Sequence, residues 1–390
     1  MRTKLTFSLF LLSAISFGQS LSNLNLNYLY DPQQEVRLSM EVVKEASQLS
    51  ILFQLHSNTN QNAIENYKVD WQQWESFNSK QGITVEQVPM ELPSVQKATK
   101  SGKFVFPVPE KPWVLVGKVT NTSSLKSWNF VQVIDSKYPV IGFIEDADGI
   151  SLRPFITKSK SVTLFGSGDK PLHVDYHKTI FDVASPPFAE KQAKPDRFMF
   201  PDSTFTLKSG DKVSFNKEGL YLVQQDTTAL EGFAFRVVKE AFPKFTKIED
   251  LAAPLIFLCT KEEHDQLLDS KGDKAKFDKV ILDITKDKDR AKNFMRSYFR
   301  RVELANTYFS SYKEGWKTDR GMIYLIFGLP DEVSKTGLKE IWYYRDTKAR
   351  FTFVKSGSVY DPNYYTLIRD NNFMEVWFST IDLWRKSRYQ

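Results

Sequence analysis

Gly315-Trp316-Lys317-Thr318-Asp319-Arg320-Gly321 stands between a long amphipathic pattern and a short apolar run, and its reading organises the chain. A glycine at each end permits sharp backbone reversals. Trp316 brings a large apolar face to bury against the preceding helix, while Thr318 or Asp319 can accept backbone N–H bonds within a turn. Asp319 can also pair with Lys317 or Arg320. The composition predicts a buried corner leading from a helix into a strand. A ligand-binding version of the same residues would use Lys317 and Arg320 to hold an anion, with Asp319 as base. Nothing nearby in the sequence supplies the partners that version needs.

Upstream, Ala291, Phe294, Met295, Tyr298, Phe299, Val302, Ala305, Phe309 and Tyr312 recur at spacings of three and four, the apolar stripe of a long helix. Gly315 falls where a left-handed residue would end it. Two short helices are expected earlier, because Thr246 with Glu249 and Thr260 with Glu263 have capping-box spacing. Downstream, residues 322–327, 340–344 and 351–354 read as a small β-meander, with a turn at Gly328-Leu329-Pro330-Asp331. Trp377, Ile381 and Trp384 mark a terminal helix. Arg385, Lys386 and Arg388 at its end complement the helix dipole.

The first half of the chain carries a period of two. Val36, Leu38, Met40 and Val42 alternate with Arg37, Ser39 and Glu41, the signature of a half-buried strand. Further short runs at 67–71, 104–108, 113–119 and 128–134 complete a β-sandwich over about residues 21–136. A second set at 140–144, 150–156, 161–165, 204–208, 212–215, 220–225 and 233–238 forms another β unit. Its proline-bearing stretch 185–195 lacks ladder donors and reads as a long connection. The expected architecture is β-rich and multidomain: a β-sandwich-like domain at 19–136, a second β-rich domain at 137–242, and an α+β module of helices with a small antiparallel sheet at 243–390.

Arg2 and Lys4 precede an apolar run over 5–17, and Ser16 and Gly18 place small residues ahead of Gln19. That is the pattern of a signal peptide at 1–18. No cysteine follows it, so a lipoprotein is not expected, and no later stretch has the length of a membrane span. The leader's removal leaves 51 cations against 47 acids, with the signs interspersed. Such a balance suits a solvated surface and argues against nucleic acid as a partner. The single Cys259 lies in an apolar run and reads as a buried small hydrophobe.

The chain resembles the GWxTD-domain family of exported Bacteroidota proteins. The likeness rests on residues 315–321, on Arg301-Val-Glu-Leu-Ala-Asn306, on 322–331, on Glu340-Ile-Trp342 and on Ile381-Asp-Leu-Trp-Arg385. It extends upstream to about residue 212. The resemblance implies a periplasmic or outer-membrane-associated protein, and it carries no catalytic residues to transfer.

Other constellations are weaker. His173, Asp175 and His177 share one face of a strand, a spacing that can ligate zinc or copper. Yet same-face neighbours lie about 6–7 Å apart, so an exposed polar face is the better reading and no metal or other cofactor is expected. The segment Glu145-Asp-Ala-Asp-Gly149 reads as a hairpin turn, not a calcium loop. Binding residues, if the corner has them, are Trp316, Lys317, Thr318, Asp319, Arg320 and Asp331. The expected function is non-enzymatic: a soluble exported envelope protein that binds another envelope protein or serves as a complex subunit. The alternative is an envelope carbohydrate-binding module or carbohydrate-active enzyme, whose paired carboxylates would follow no local spacing.

Overall fold

The alternation read at 36–42 becomes two long strands, Val36–Glu45 and Gln48–Ser57, paired antiparallel along their whole length. The computed structural model describes residues 20–388 except 46–47, 59–63, 86–90, 97, 109, 136, 179–180 and 193. The leader expected at 1–18 lies outside the described residues.

These strands continue through Thr99–Pro107 to Glu91–Gln96 in one four-stranded sheet. Facing it is a second sheet ordered Ile83–Thr84, Tyr67–Trp74, Trp113–Asn121 and Ser127–Ile134. Ile51, Phe53 and Phe104 meet Tyr67, Leu115 and Phe130 between them. The strand Trp113–Asn121 is apolar almost throughout because both its faces are covered. Leu115 and Val119 point into the sandwich, whereas Val114 and Val116 join a cluster dominated by C-terminal helices.

The second β unit pairs a four-stranded sheet with a five-stranded one. The first runs Gly149–Ser151, Gly142–Asp146, Ser161–Gly166, Lys212–Ser214. The second runs Phe155–Thr157, Phe233–Val238, Gly219–Gln224, Leu172–His177, Ser203–Leu207. Residues 150–156, read as one strand, divide between the two sheets at Arg153-Pro154. Proline cannot donate to a ladder, so the chain leaves one sheet there and enters the other.

Helices then take over: α1 (Ile248–Leu251), α2 (Lys261–Asp269), α3 (Lys274–Thr285), α4 (Lys288–Phe309), α5 (Asp319–Phe327) and α6 (Phe373–Arg385). A meander of Glu332–Thr336, Lys339–Tyr344, Ala349–Lys355 and Tyr365–Leu367 packs with them. Thr260 and Glu263 form the expected capping box, but Thr246 caps nothing; α1 starts after Lys247 without a side-chain cap. α3 was hidden in a charged stretch. Its Phe277, Val280, Ile281 and Ile284 are buried on one side while the lysines and aspartates face out, and Asp273 caps its N-terminus.

The largest correction concerns 322–327, which is helix, not strand. Met322 to Phe327 are all buried, so no polar face breaks the run and its period is invisible to a pattern of alternation. The corner therefore joins two helices. Gly315 is also not a left-handed helix stop; α4 ends at Phe309, and Gly315 opens a short 3-10 turn.

The three parts are bound together by segments that the sequence assigned to single domains. Residues 21–30 leave the first sandwich and lie on the C-terminal module, where Leu26 N donates to Val333 O at 2.7 Å and Tyr324 Oη donates to Tyr30 O at 3.0 Å. The connection at 185–195 is irregular, as expected, and its start also docks on the module. Among the described residues no helix is long and apolar enough to cross a membrane.

Candidate functional site

The corner is held from inside. Thr318 caps α5 by accepting from Gly321 N at 3.0 Å, and its hydroxyl donates to Gly315 O at 2.8 Å. Asp319, the first residue of α5, accepts from Arg369 Nη2 at 2.6 Å, Arg369 Nη1 at 3.2 Å and Leu367 N at 2.7 Å. Both side chains of this ion pair are essentially inaccessible, at 0% and 2%. A carboxylate with both oxygens engaged this way is not available as a general base. Arg369 in turn donates to Ser185 O and Pro186 O, so one guanidinium ties the corner, the meander's last strand and the 185–186 segment together.

Close approach explains both glycines. A Cβ on Gly315 would sit 2.0 Å from Ala305 O, and one on Gly321 would sit 1.8 Å from Gly315 O. Trp316 is buried against Phe257, and its backbone N donates to Asn306 Oδ1 at 3.2 Å. Asn306 Nδ2 donates to Pro243 O, closing a polar link from α4 to the chain entering the module. Lys317 pairs with Glu314 at 3.0 Å, and Glu314 pairs with Arg236 at 2.8 Å. Burial would raise the Glu314 pKa, but the two cations beside it outweigh burial and hold it below the ordinary carboxylate range.

Arg320 alone among these residues also reaches a cavity. Its guanidinium lies over the Tyr365 ring, 3.7 Å from Glu340 and 3.4 Å from Tyr30 Oη. Glu340 is fully buried, yet Lys335, Arg320, Tyr30 and Trp342 overcome that burial and keep its pKa depressed. Beyond Arg320 lies a space of about 230 Å³ where the three parts of the molecule meet. Glu41 from the first sandwich, Phe143 and Phe233 from the second β unit, and Ser311 and Asp361 from the module line it. A neighbouring cavity of about 550 Å³ shares Glu41, Pro362 and Asn363 and adds Lys355 and Asp135. The Asp361 carboxylate accepts from Ser311 Oγ and Asn363 N, whereas Glu41 accepts only from Val42 N at 3.3 Å. Burial, with Asp361 close by, pushes Glu41 up to about 7. Burial raises Asp361 as well, against the opposing pull of Ser311, Asn363, Arg320 and Lys355.

Asp331 does not join the corner. It opens the meander, accepting from Arg345 N at 2.8 Å through its side chain and from Asn25 and Asn27 through its carbonyl. His173, Asp175 and His177 share a face, but it is not the exposed face expected: His173 and Asp175 are half-buried, and the module packs over the His177 end. His177 is fully buried, edge-on to Tyr360, with Nδ1 3.1 Å from Phe200 O. Among the described residues no three His, Cys, Asp or Glu side chains are placed to hold a metal ion. Cys259 is half-buried, and burial pushes its thiol up to about 12, so it is a poor nucleophile.

The GWxTD domain family model matches residues 219–386. The chain carries a GWxTD domain. No curated protein matches the chain. The domain begins inside the second β unit, and packing gives the reason. Leu220 and Leu222 turn outward from their sheet to pack with Tyr312, Tyr360 and Tyr364, while Arg236 from the adjacent strand holds Glu314. Two strands of that sheet thus belong energetically to the GWxTD corner. Arg369, Arg236, Asn306, Glu41 and Asp361 were not singled out from sequence. Only Asn306 left a local sign, as a polar residue on the apolar stripe of α4.

Proposed function

We propose that the chain is a non-enzymatic exported envelope protein, periplasmic or outer-membrane-associated, that binds another protein as a subunit of a complex. One observation carries this reading. Strand Ser203–Leu207 closes the five-stranded sheet with an edge unpaired among the described residues, and Phe198 and Phe200 stand beside it 71% and 82% exposed, their rings 4.9 Å apart. Exposed aromatics next to an open edge offer main-chain hydrogen bonds and anchor groups to an incoming extended segment. Affinity purification from the native envelope tests it. A defined partner should co-purify with the parent chain and be lost from a Phe198→Ser, Phe200→Ser variant; recovery of the cross-linked parent chain alone would overturn the proposal.

The junction cavity supports a second reading, an envelope carbohydrate-binding or carbohydrate-active protein. Glu41 and Asp361 are two carboxyls with raised pKa on one cavity, a pattern that suits acid–base work. Sugar binding that survives Glu41→Gln with unchanged affinity would remove its basis.

A further inference from the structure

A large apolar space lies in the module on the outer side of α6. Its floor is α6 with Trp377 and Ile381, one wall is the turn at Ile256, and the other is the 183–188 segment with Val183, Pro186 and Phe188. It measures about 640 Å³, within the range of sites that enclose small organic ligands. Phe378, 54% exposed, leans on Phe188 at 5.3 Å and forms the rim.

Polar groups gather at one end. Thr260, Cys259 and Arg385 lie together, joined by the Arg385 bond to Leu258 O at 2.9 Å. Among the described residues Arg385 is the sole charged side chain in the wall; its partner Glu263, held at 2.6 and 2.8 Å, is outside the lining. Three N–H groups of the guanidinium are engaged by Glu263 and Leu258, which leaves two of its five donors for a ligand.

We propose that this cavity binds a single-chain amphiphile with a carboxylate head, a free long-chain fatty acid. The hydrocarbon would lie between Trp377 and Phe188, and the carboxylate would reach Arg385 and the Thr260 hydroxyl. A polypeptide fits less well, because its backbone would bring amides into a wall with few partners for them. The donors left to the cavity are those of a guanidinium, which favours an anionic acceptor head.

The test is a titration of the full chain with the fluorescent acid cis-parinarate. Saturable binding at one site is expected, displaced by palmitate and not by acetate. Hexadecanol should compete at least about tenfold less well than palmitate, since it lacks the charge-assisted bonds to Arg385. Ile381→Trp fills the space and should abolish binding with the melting temperature retained; Arg385→Gln should weaken it about tenfold. If Arg385→Gln fails to fold for want of the Glu263 pair, the alcohol-against-acid comparison on the parent chain decides the role of charge. The proposal is overturned if binding does not saturate, if Ile381→Trp binds as the parent does, if hexadecanol and palmitate compete equally, or if the chain adsorbs to anionic phospholipid vesicles while ignoring the free acid.

Discussion

The corner at 315–321 and the edge at 198–207 put conspicuous residues to opposite uses. In the corner, Trp316 is 2% exposed, Asp319 and Thr318 have their polar atoms engaged, and the two glycines leave no space for a side chain. At the edge, Phe200 is 82% exposed and the strand beside it pairs, among the described residues, on one side only. The difference teaches that the most recognisable stretch of the chain is the place where four segments distant in sequence are fixed to one another. The partner recognition proposed above would fall to a surface with no such signature.

The largest effect that can break this comparison is at Asp319. Asp319→Asn leaves the Arg369 charge buried without its counter-ion and should cost about 3–5 kcal/mol in urea unfolding. A loss under about 1 kcal/mol would mean that the corner is not held by this pair. Gly321→Ala comes next. Its methyl would press on Gly315 O, a backbone atom that cannot swing away, and an overpacking loss of about 1–3 kcal/mol is expected by the same measurement. Parent-like stability there would show that the corner has slack.

The junction cavity gives a smaller effect that varies with pH. Glu41 holds its proton more firmly folded, at about 7, than at its ordinary value of 4.5. The unfolded chain therefore binds fewer protons between these values, and the Glu41 contribution to stability falls as pH rises from about 4.5 to about 7. Glu41→Gln should flatten that part of the stability profile and gain roughly 1 kcal/mol at pH 8, less than the full shift because the carboxyl faces a cavity that admits water. An unchanged profile would place the Glu41 carboxyl in solvent. Smallest of all is the edge. Phe198→Ser with Phe200→Ser should alter stability by no more than about 0.5 kcal/mol, and a larger loss would mean these rings hold the fold instead of awaiting a partner.

Local period and capping made much of the fold legible. Residues 36–42 announced a strand because one face of the first sheet is open to polar residues, and Thr260 with Glu263 announced α2 through their reciprocal bonds. Where burial is complete, the period disappears. α5 looked like a strand because its apolar run lies entirely in the core, and α3 looked like a solvated charge run because its three lysines and two aspartates outnumber its four buried apolar residues. The candidate site was half legible. Thr318 was read as a turn acceptor, and it accepts from Gly321 N; Asp319 was read the same way, but its backbone donor is the distant Leu367 N. The donor to Asp319 was taken to be Lys317 or Arg320; it is Arg369, whose place beside the corner depends on the return of the meander. No short-range pattern encodes such a partner, and the same holds for Glu41 meeting Asp361 across a junction of three parts.

A double-mutant cycle in urea, with Asp319→Asn, Arg369→Leu and the pair combined, addresses the central point most directly. If the motif's carboxylate and its distant guanidinium hold the corner together, the cycle returns a coupling of about 2 kcal/mol or more. A coupling within about 0.5 kcal/mol of zero, with either single variant as stable as the parent, would contradict the account.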